Sequence, residues 1–286
     1  MEHSSIVDPE QARYSRFQAP GFERGRRHSA EGALVEDVGF NPELLIAASV
    51  TPFRPDESLD LERLASHIDS MLDAGITGIM AIGGCGEYAN LTPKEREKVT
   101  RETVRVVDGR VPVIIGALGP STREALAVGV FAAHAGASTL LVLPPYYVKP
   151  SFEGVMQHFK TIAEETGTKV IVYNIPGRTG LDLSLAQLLE IADIPGVVAI
   201  KECARDVGAI SLKIGGLEGR MAVLSGDDDL GFATLISGAS GAIWATPNLA
   251  PKLSLDLFTA CKRGDTSYAL SLHNRLVQIF SAWMLP

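Results

Sequence analysis

The sequence has 286 residues, of which 46% are hydrophobic and 21% charged, a balance that is typical of folded globular proteins and excludes a wholly disordered chain. A formal net charge of −8 argues against a nucleic-acid partner or an anionic membrane surface, because both select basic proteins. No apolar run reaches the roughly 18 residues of a transmembrane helix. Three widely spaced cysteines, Cys85, Cys203 and Cys261, favour a reducing cytoplasm and exclude a disulfide framework or a clustered zinc site.

The first 42 residues differ from the rest of the chain. They are polar, lack hydrophobic periodicity and contain a basic run that includes Arg24, Arg26 and Arg27. This composition predicts a disordered N-terminal arm over residues 1–42, followed by one catalytic domain over residues 43–286. An Arg-rich transit peptide is the alternative, although the acidic residues near the start are atypical of one.

From Leu44 onward, short apolar runs alternate with longer stretches whose apolar residues recur every three or four positions. Eight runs are short and continuously apolar, as strands covered on both faces are: 44–50, 78–82, 112–116, 139–143, 169–174, 197–201, 221–225 and 241–244. Helical spacing is clearest in residues 61–72, 96–107, 124–134 and 152–162. Thr92 and Ser121 are expected to cap two of these helices.

Eight repeats of strand and helix predict the α/β class and, within it, a (β/α)8 TIM barrel that forms a single domain. An open, doubly wound sheet is the alternative, which is disfavoured because no Gly-x-Gly-x-x-Gly motif follows the first strand. In a barrel, functional groups lie where the strands end and the following loops begin. The residues at those positions are therefore the candidates for chemistry.

Two neighbouring strands end in residues that suit carbonyl chemistry. Lys201 closes the sixth strand, and burial there would lower the pKa of its amine and leave a neutral nucleophile able to form a Schiff base. The alternative is a lysine that reaches out to solvent or pairs with Glu202. Tyr173 ends the fifth strand and could move protons near Lys201, whereas the alternative is a core tyrosine bonded to a backbone carbonyl.

The loops after the strands carry groups that suit an anionic ligand. Arg178 lies among Gly and Pro residues, where a guanidinium can hold a carboxylate through two hydrogen bonds, although a solvated loop arginine is the alternative. Residues 83–87 are rich in glycine, whose backbone N–H groups can approach an anion. Cys85 in this loop is either a reactive thiol or a small buried side chain. Asp227, Asp228 and Asp229 are interpreted as caps of the next helix rather than as metal ligands.

Motifs of other enzyme classes are absent from the sequence. It contains no His-Glu-x-x-His, no Gly-x-Ser-x-Gly and no P-loop, and its six histidines lie in the N-terminal arm or in helical segments. A zinc hydrolase or a serine hydrolase is therefore unsupported, and no metal is predicted.

Taken together, these features resemble the pyruvate-dependent Schiff-base lyases typified by dihydrodipicolinate synthase and N-acetylneuraminate lyase. The likeness runs from about Leu44 to the C-terminus. Its most specific elements are residues 173–180, Tyr-Asn-Ile-Pro-Gly-Arg-Thr-Gly, and residues 200–202, Ile-Lys-Glu. Further matches are the motifs at residues 83–87, 145–147 and 225–228. The resemblance implies a (β/α)8 barrel, no metal or organic cofactor, and a homo-oligomer, usually a tetramer built from dimers.

The resemblance implies catalytic roles for three residues. Lys201 would form an imine with the keto group of pyruvate or of another 2-keto acid. Tyr173 would relay protons. Tyr147 matches the tyrosine that a neighbouring subunit lends to the site.

Five further residues match positions at which the family binds its substrates. The backbone of Gly84 and Cys85 would bind the carboxylate of the keto acid. Arg178 would hold the carboxylate of a second substrate. Gly226 and Ile243 match positions that line the pocket.

Two features depart from the family pattern. Dihydrodipicolinate synthases typically have two threonines where this sequence has Gly84 and Cys85, and the first threonine relays protons. Dehydratases of 2-keto-3-deoxy sugar acids commonly have Gly-Gly at this point, although they often lack the stretch around Arg178. Family members also usually continue with further helices after the eighth, so a shortened C-terminal helical end is expected. Trp283 is expected to pack against another surface, for which another subunit is one candidate.

The sequence therefore predicts a Schiff-base lyase that condenses pyruvate with a carboxylate-bearing aldehyde, as dihydrodipicolinate synthase does. One alternative is an aldolase or dehydratase of 2-keto-3-deoxy sugar acids, such as 5-dehydro-4-deoxyglucarate, or a hydroxy-keto acid aldolase. A non-catalytic paralogue that binds a keto acid is a further alternative. The expected partners are small-molecule substrates and further copies of the chain.

Overall fold

Eight parallel strands close into a barrel in the computed structural model, which describes residues 41–283. Each strand is hydrogen-bonded to the next along the chain, and the eighth pairs with the first. The strands are β1 (Leu45–Ala48), β2 (Gly78–Ala81), β3 (Val113–Ala117), β4 (Thr139–Val142), β5 (Lys169–Asn174), β6 (Val197–Glu202), β7 (Ala222–Ser225) and β8 (Gly241–Trp244). The predicted TIM barrel is confirmed, and the open sheet is excluded. Residues 1–40 of the predicted arm lie outside the described residues, as do residues 284–286.

Helices cover the outside of the barrel between successive strands. They are α1 (Leu61–Asp73), α2 (Pro93–Val107), α3 (Thr122–Ala135), α4 (Phe152–Thr166), α5 (Pro176–Thr179), α6 (Leu185–Ile191), α7 (Val207–Gly216), α8 (Gly231–Ile236), α9 (Pro251–Lys262) and α10 (Thr266–Trp283). Two of them, α5 and α6, lie between β5 and β6, and α10 is one further helix after α9, the helix that follows β8. Within residues 41–283, none of the helices has the length and apolar character needed to cross a membrane.

The helix starts expected from the sequence are present. The Thr92 hydroxyl accepts a hydrogen bond from the N–H of Glu95, whose carboxylate accepts one from the N–H of Thr92, so both form a capping box. Ser121 caps α3 by accepting from the N–H of Glu124. These caps satisfy N–H groups that have no partner inside a helix.

The strands are buried because both of their faces are covered, by the barrel interior on one side and by the helices on the other. Every residue of β1, β2, β3, β4 and β8 is buried. In β8, Trp244 is fully buried, and its indole N–H donates to the Ser225 hydroxyl at 3.1 Å. The polar atom of the largest core side chain is therefore satisfied.

The pairing of β5 with β6 contains one irregularity. Val170 pairs with Val197, but the next residue of β5, Ile171, pairs with Ala199. One residue of β6, Val198, is therefore inserted as a β-bulge, and the register beyond it is shifted. The shift is what places Tyr173 opposite Lys201.

His158 of α4 is a buried histidine that the fold keeps neutral. Its Nε2–H donates to the carbonyl oxygen of Leu143 at 2.9 Å, so its Nδ1 is the atom that accepts from the Thr122 hydroxyl, also at 2.9 Å. Only 1% of its surface is exposed. Burial lowers the pKa of His158 from 6.5 to about 4, against the weaker opposing effect of the bond to Leu143.

This histidine predicts an acid-sensitive contribution to stability. Between pH 6.5 and about 4 the unfolded chain binds a proton at His158 that the folded chain does not, so folding stability falls as the pH is lowered through this range. We expect the stability advantage of the wild type over His158→Gln to shrink by up to about 3 kcal/mol between neutral pH and about pH 4. Urea unfolding of both proteins across this range measures the difference. Parallel pH profiles would contradict the prediction.

Candidate active site

A cavity of about 550 Å³ opens at the end of the barrel where the strands end. Chemistry in TIM barrels is found at this end. The structure brings together seven of the eight predicted site residues around this cavity: Gly84, Cys85, Tyr173, Arg178, Lys201, Gly226 and Ile243. Tyr147 is the exception, since it does not line the cavity of its own chain.

Lys201 and Tyr173 lie side by side at the cavity because they are paired across β5 and β6. Lys201 is 6% exposed and Tyr173 7% exposed. Lys201 Nζ lies 3.5 Å from the Tyr173 hydroxyl and 4.5 Å from the centre of its ring. Lys201 therefore does not reach out to solvent, and Glu202 forms its ion pair with Lys213 instead.

The charge state of Lys201 depends on its neighbours. Burial lowers the pKa of the Lys201 amine, but negative charge on Tyr173, Cys203 and Cys85 outweighs burial and raises it when these groups are ionised. Burial itself raises the pKa of Tyr173 to about 12, and it raises the pKa of both thiols. All three groups are therefore uncharged at neutral pH. Burial then favours the neutral amine, whereas the nearby carboxylates of Asp227 and Asp228 favour the protonated amine.

The loop after β2 is shaped by backbone strain and by glycine. Ile82 has a φ of +47°, a left-handed conformation that is rare for a β-branched residue. The N–H groups of Gly84 and Cys85 beyond it donate no hydrogen bond to a described residue. Burial raises the pKa of the Cys85 thiol, so this side chain is a poor nucleophile at neutral pH. Two free amides therefore border the cavity, as an anion-binding loop requires.

Arg178 lies on the single turn of α5, directly after β5. The Thr179 hydroxyl bonds the carbonyl oxygens of Ile175 at 3.2 Å and Leu181 at 3.1 Å, which fixes this turn, and Gly180 ends it with a φ of +69°. Arg178 is exposed at the cavity rim and forms no ion pair within residues 41–283. Its guanidinium is available to an anionic ligand.

Gly226 leaves room for the lysine. A Cβ atom at this position would lie 2.7 Å from the carbonyl oxygen of Glu202 and 3.1 Å from Cε of Lys201, and it would overlap the thiol of Cys203. Ile243 of β8 is fully buried at the cavity wall. A larger residue at Gly226 would displace the side chain that carries the amine.

Tyr147 lies outside its own chain's cavity. It is 92% exposed and has a φ of +75°, and the next residue, Val148, is 72% exposed. Large apolar groups that project into solvent are typical of surfaces that contact another protein. In this position the Tyr147 side chain is accessible to the cavity of a second copy of the chain.

The three aspartates after β7 do not cap the next helix, and this interpretation was wrong. Asp228 accepts hydrogen bonds from the N–H groups of Ala245 at 3.0 Å and Thr246 at 2.6 Å, so it joins the β7 loop to the β8 loop. Asp229 pairs with Arg205 at 2.6 Å. These partners lie on other loops, because several strand ends converge at the barrel mouth.

Asp227 is a cavity residue that the sequence analysis did not assign to the site. Its Oδ2 atom is buried without a hydrogen-bond partner in the described part of the chain, and the residue lines the cavity. Burial raises the pKa of Asp227 to about 6, against the opposing effects of Arg205 and Lys201. In the sequence, the only sign of this residue was the run of three aspartates at 227–229 after β7. The run did not indicate which of the three carboxylates faces the cavity.

Two aromatic residues of α10, Phe280 and Trp283, also line the cavity. The sequence predicted that Trp283 packs against another surface, and that surface is the mouth of its own barrel. The cavity therefore has an apolar wall beside its charged groups.

The assembled groups suit covalent chemistry on an anionic carbonyl compound. A buried amine that has lost its proton attacks a carbonyl carbon, a protonated phenol supplies a proton, and free amides and a guanidinium hold carboxylates. Within residues 41–283, no group of three or more His, Cys, Asp or Glu side chains is arranged to hold a metal ion.

Comparison with known proteins agrees with this geometry. The Dihydrodipicolinate synthetase family model matches residues 41–285. A 4-hydroxy-tetrahydrodipicolinate synthase of Neisseria meningitidis serogroup B is 40% identical over 235 residues, which cover 82% of this chain and 81% of that protein.

Solved structures give the same assignment. A chloride-inhibited dihydrodipicolinate synthase of Acinetobacter baumannii complexed with pyruvate is 37% identical, with a TM-score of 0.81 over 83% of this chain and 82% of the other. A monomeric dihydrodipicolinate synthase variant is 33% identical, with a TM-score of 0.82 over 88% and 85% of the two chains. The predicted family and the predicted lyase class are confirmed, and this chain belongs to the dihydrodipicolinate synthetase family.

Proposed function

We propose that this lyase condenses pyruvate with a carboxylate-bearing aldehyde through an imine at Lys201, the reaction of a 4-hydroxy-tetrahydrodipicolinate synthase. The observation that carries the proposal is a buried amine beside a buried phenol at the end of the barrel where the strands end. The name of the Neisseria meningitidis relative and the pyruvate in the Acinetobacter baumannii structure support the choice of reaction and of first substrate.

In the proposed mechanism, the Lys201 amine attacks the keto carbon of pyruvate and forms a carbinolamine. The Tyr173 phenol, whose pKa is about 12, donates a proton to the departing hydroxyl, and water leaves as the imine forms. The imine withdraws electrons, so the Tyr173 phenolate takes up a proton from the methyl group and an enamine results. The enamine carbon attacks the aldehyde, a proton is taken up by the new alkoxide, and water then hydrolyses the imine to release product and Lys201.

The two carboxylates have separate binding positions in this proposal. The free N–H groups of Gly84 and Cys85 hold the carboxylate of pyruvate, and the free guanidinium of Arg178 holds that of the aldehyde. Gly226 and Ile243 line the space between them. Held in this way, the enamine carbon and the aldehyde carbon meet without the entropic cost of a free encounter.

We further propose a cytoplasmic homo-oligomer in which Tyr147 enters the site of a second copy. The exposure of Tyr147 and Val148 supports such an interface, and three free cysteines are consistent with a reducing compartment. One similar structure is that of a monomeric synthase variant, so the oligomeric state of this chain must be measured.

A dehydratase of 2-keto-3-deoxy sugar acids is the second candidate function. Gly84 favours it, because glycine offers no hydroxyl for a proton relay and open space surrounds its Cα. Both candidates use the Lys201 imine. They differ in whether Arg178 is needed, because only the condensation has a second substrate whose carboxylate this residue would hold.

Trapping with borohydride tests the imine. We expect reduction in the presence of pyruvate to add one pyruvate-derived group to Lys201, detected by intact-mass and peptide mass spectrometry. Lys201→Ala serves as the control and is expected to remain unmodified. An unmodified wild type would contradict the proposed function for pyruvate, and trapping with 2-keto-3-deoxy acids alone would favour the dehydratase.

Kinetics of Arg178→Ala test the position of the second substrate. Loss of a charged pair of hydrogen bonds is expected to raise the KM for the aldehyde roughly tenfold to a hundredfold and to leave the KM for pyruvate nearly unchanged. Arg123→Ala, at an exposed arginine of α3 that does not line the cavity, is the matched control. An equal rise for both substrates would count against the assigned role.

Mixing two impaired variants tests whether Tyr147 acts across an interface. Tyr147→Phe is expected to lower kcat about 100-fold, in line with the loss of a proton-transfer group, and Lys201→Ala to abolish activity. If Tyr147 acts in the site of another copy, a mixed oligomer contains sites with both Lys201 and Tyr147. Activity should then reappear after the two variants are unfolded and refolded together. No recovery in verified mixed oligomers would show that Tyr147 does not act in this way.

A further inference from the structure

A buried polar cluster lies behind Tyr173 and Lys201, on the face of the barrel wall opposite to the cavity. It consists of Asn174, Asp182, Glu202 and Lys213, and we call it the rear cluster. Asn174 is fully buried, Glu202 is 1% exposed and Lys213 is 5% exposed. Asn174 and Glu202 directly follow the two reactive residues, and because side chains alternate along a strand, they point away from the cavity.

Glu202 is the centre of the rear cluster. Its carboxylate accepts hydrogen bonds from Asn174 Nδ2 at 2.8 and 3.1 Å, from the N–H of Ala204 at 2.8 Å and from Lys213 Nζ at 2.8 Å. Every donor comes from a different element or loop. The side chain thus joins β5, β6 and α7.

Asn174 and Lys213 extend these contacts to the segment after α5. Asn174 Nδ2 also donates to Asp182 Oδ1 at 2.9 Å, and its Oδ1 accepts from the N–H of Leu183 at 3.1 Å. Lys213 Nζ donates to Asp182 Oδ1 at 3.2 Å. Asp182 is the solvent-facing end of the cluster, since 55% of its side chain is exposed.

Lys213 supplies the positive charge that the rear cluster needs. Within residues 41–283, it is the one cation that pairs with Glu202, and its side chain is 6% exposed. A buried carboxylate that loses its partner strongly destabilises the arrangement around it. Without Lys213, Glu202 would therefore move toward water or draw water in, and β6 would move with it.

The hydrogen bonds of the rear cluster fit only one register of β5 and β6. The bulge at Val198 shifts the pairing by one residue, so that Tyr173 meets Lys201 and Asn174 meets Glu202. The register before the bulge, continued without the shift, would place Ile200 opposite Tyr173. The hydrogen bonds from Asn174 to Glu202 form only in the shifted register, and they lie one residue beyond the reactive pair.

We propose that Lys213 is a positioning residue for the Lys201 imine, acting through Glu202 and Asn174 to hold Tyr173 beside Lys201. It does not touch the cavity and takes no part in bond formation. The inference rests on the proposed function, because it requires that Lys201 forms the imine. Its consequence is a slower chemical step, with pyruvate still bound by groups on other loops.

The test compares Lys213→Met with the wild type. We expect kcat, and the rate at which borohydride traps the pyruvate imine, to fall about tenfold to a hundredfold, the loss that a small misplacement of a reacting group causes. The KM for pyruvate is expected to stay near the wild-type value. Lys160→Met is the matched control, since Lys160 pairs with Glu164 on the surface of α4 and both are more than half exposed.

A double variant separates positioning from a merely structural role. Glu202→Gln combined with Lys213→Met leaves no buried unpaired charge, since the Asp182 side chain is 55% exposed. The amide oxygen that replaces the carboxylate can still accept hydrogen bonds from Asn174 and Ala204. We expect this variant to recover most of the lost trapping rate. Circular dichroism and thermal unfolding confirm that each protein is folded before its rate is compared.

The outcomes distinguish the two proposals. If the wild type forms no adduct at Lys201, the proposed function fails. If the wild type forms the adduct and folded Lys213→Met forms it equally fast, the positioning role alone is overturned. If Lys213→Met does not fold, Lys213→Gln takes its place, because its amide can donate to Glu202 but carries no charge. A folded Lys213→Gln that forms the adduct as fast as the wild type then overturns the role of the Lys213 charge.

Discussion

The pairing of two neighbouring strands determines whether this barrel has a reactive centre. In parallel strands the side chains alternate between faces, so a slip of one residue between β5 and β6 would exchange the residues that face the cavity for those that face the helices. The bulge at Val198 sets the register in which Tyr173 lies opposite Lys201. The phenol and the amine are then 3.5 Å apart, and both side chains are buried. The acid–base chemistry of the proposed mechanism depends on this spacing.

Polar groups are satisfied differently on the two sides of the barrel wall. Behind the wall, Glu202 has four donor contacts, and at the barrel mouth Asp228 accepts from two backbone N–H groups, so both are structural. At the cavity, the N–H groups of Gly84 and Cys85 and one oxygen of Asp227 have no partner among residues 41–283. These three groups belong to residues that line the cavity, where a polar ligand can supply their hydrogen bonds.

The sequence predicted the barrel, and it placed Lys201 and Tyr173 at the ends of neighbouring strands, because both predictions depend on local patterns. Strands buried on both faces are continuous apolar runs, and a lysine that closes such a run must lie at the end of the barrel where catalysis occurs. Lys213 could not be found in this way, since α7 presents it as an ordinary helical lysine and only the approach of β6 buries it. The same holds for Phe280 and Trp283, which reach the cavity from more than 70 residues beyond Lys201 in the sequence. Contacts between distant segments leave no periodic signal.

The cavity also limits which aldehyde fits the proposed reaction. Arg178 offers a charge at the rim, while Phe280 and Trp283 offer an apolar wall, so the second substrate must place a carboxylate at the rim and a carbon chain along the aromatic side. The reacting carbon must then lie near Lys201 and Tyr173, at the base of the same cavity. Gly84 has no hydroxyl to relay a proton between Tyr173 and a tyrosine from a second copy, so in the proposed assembly water carries the proton between the two phenols. Selectivity and proton transfer thus depend on different loops of one barrel, which can vary separately while the β5–β6 register is kept.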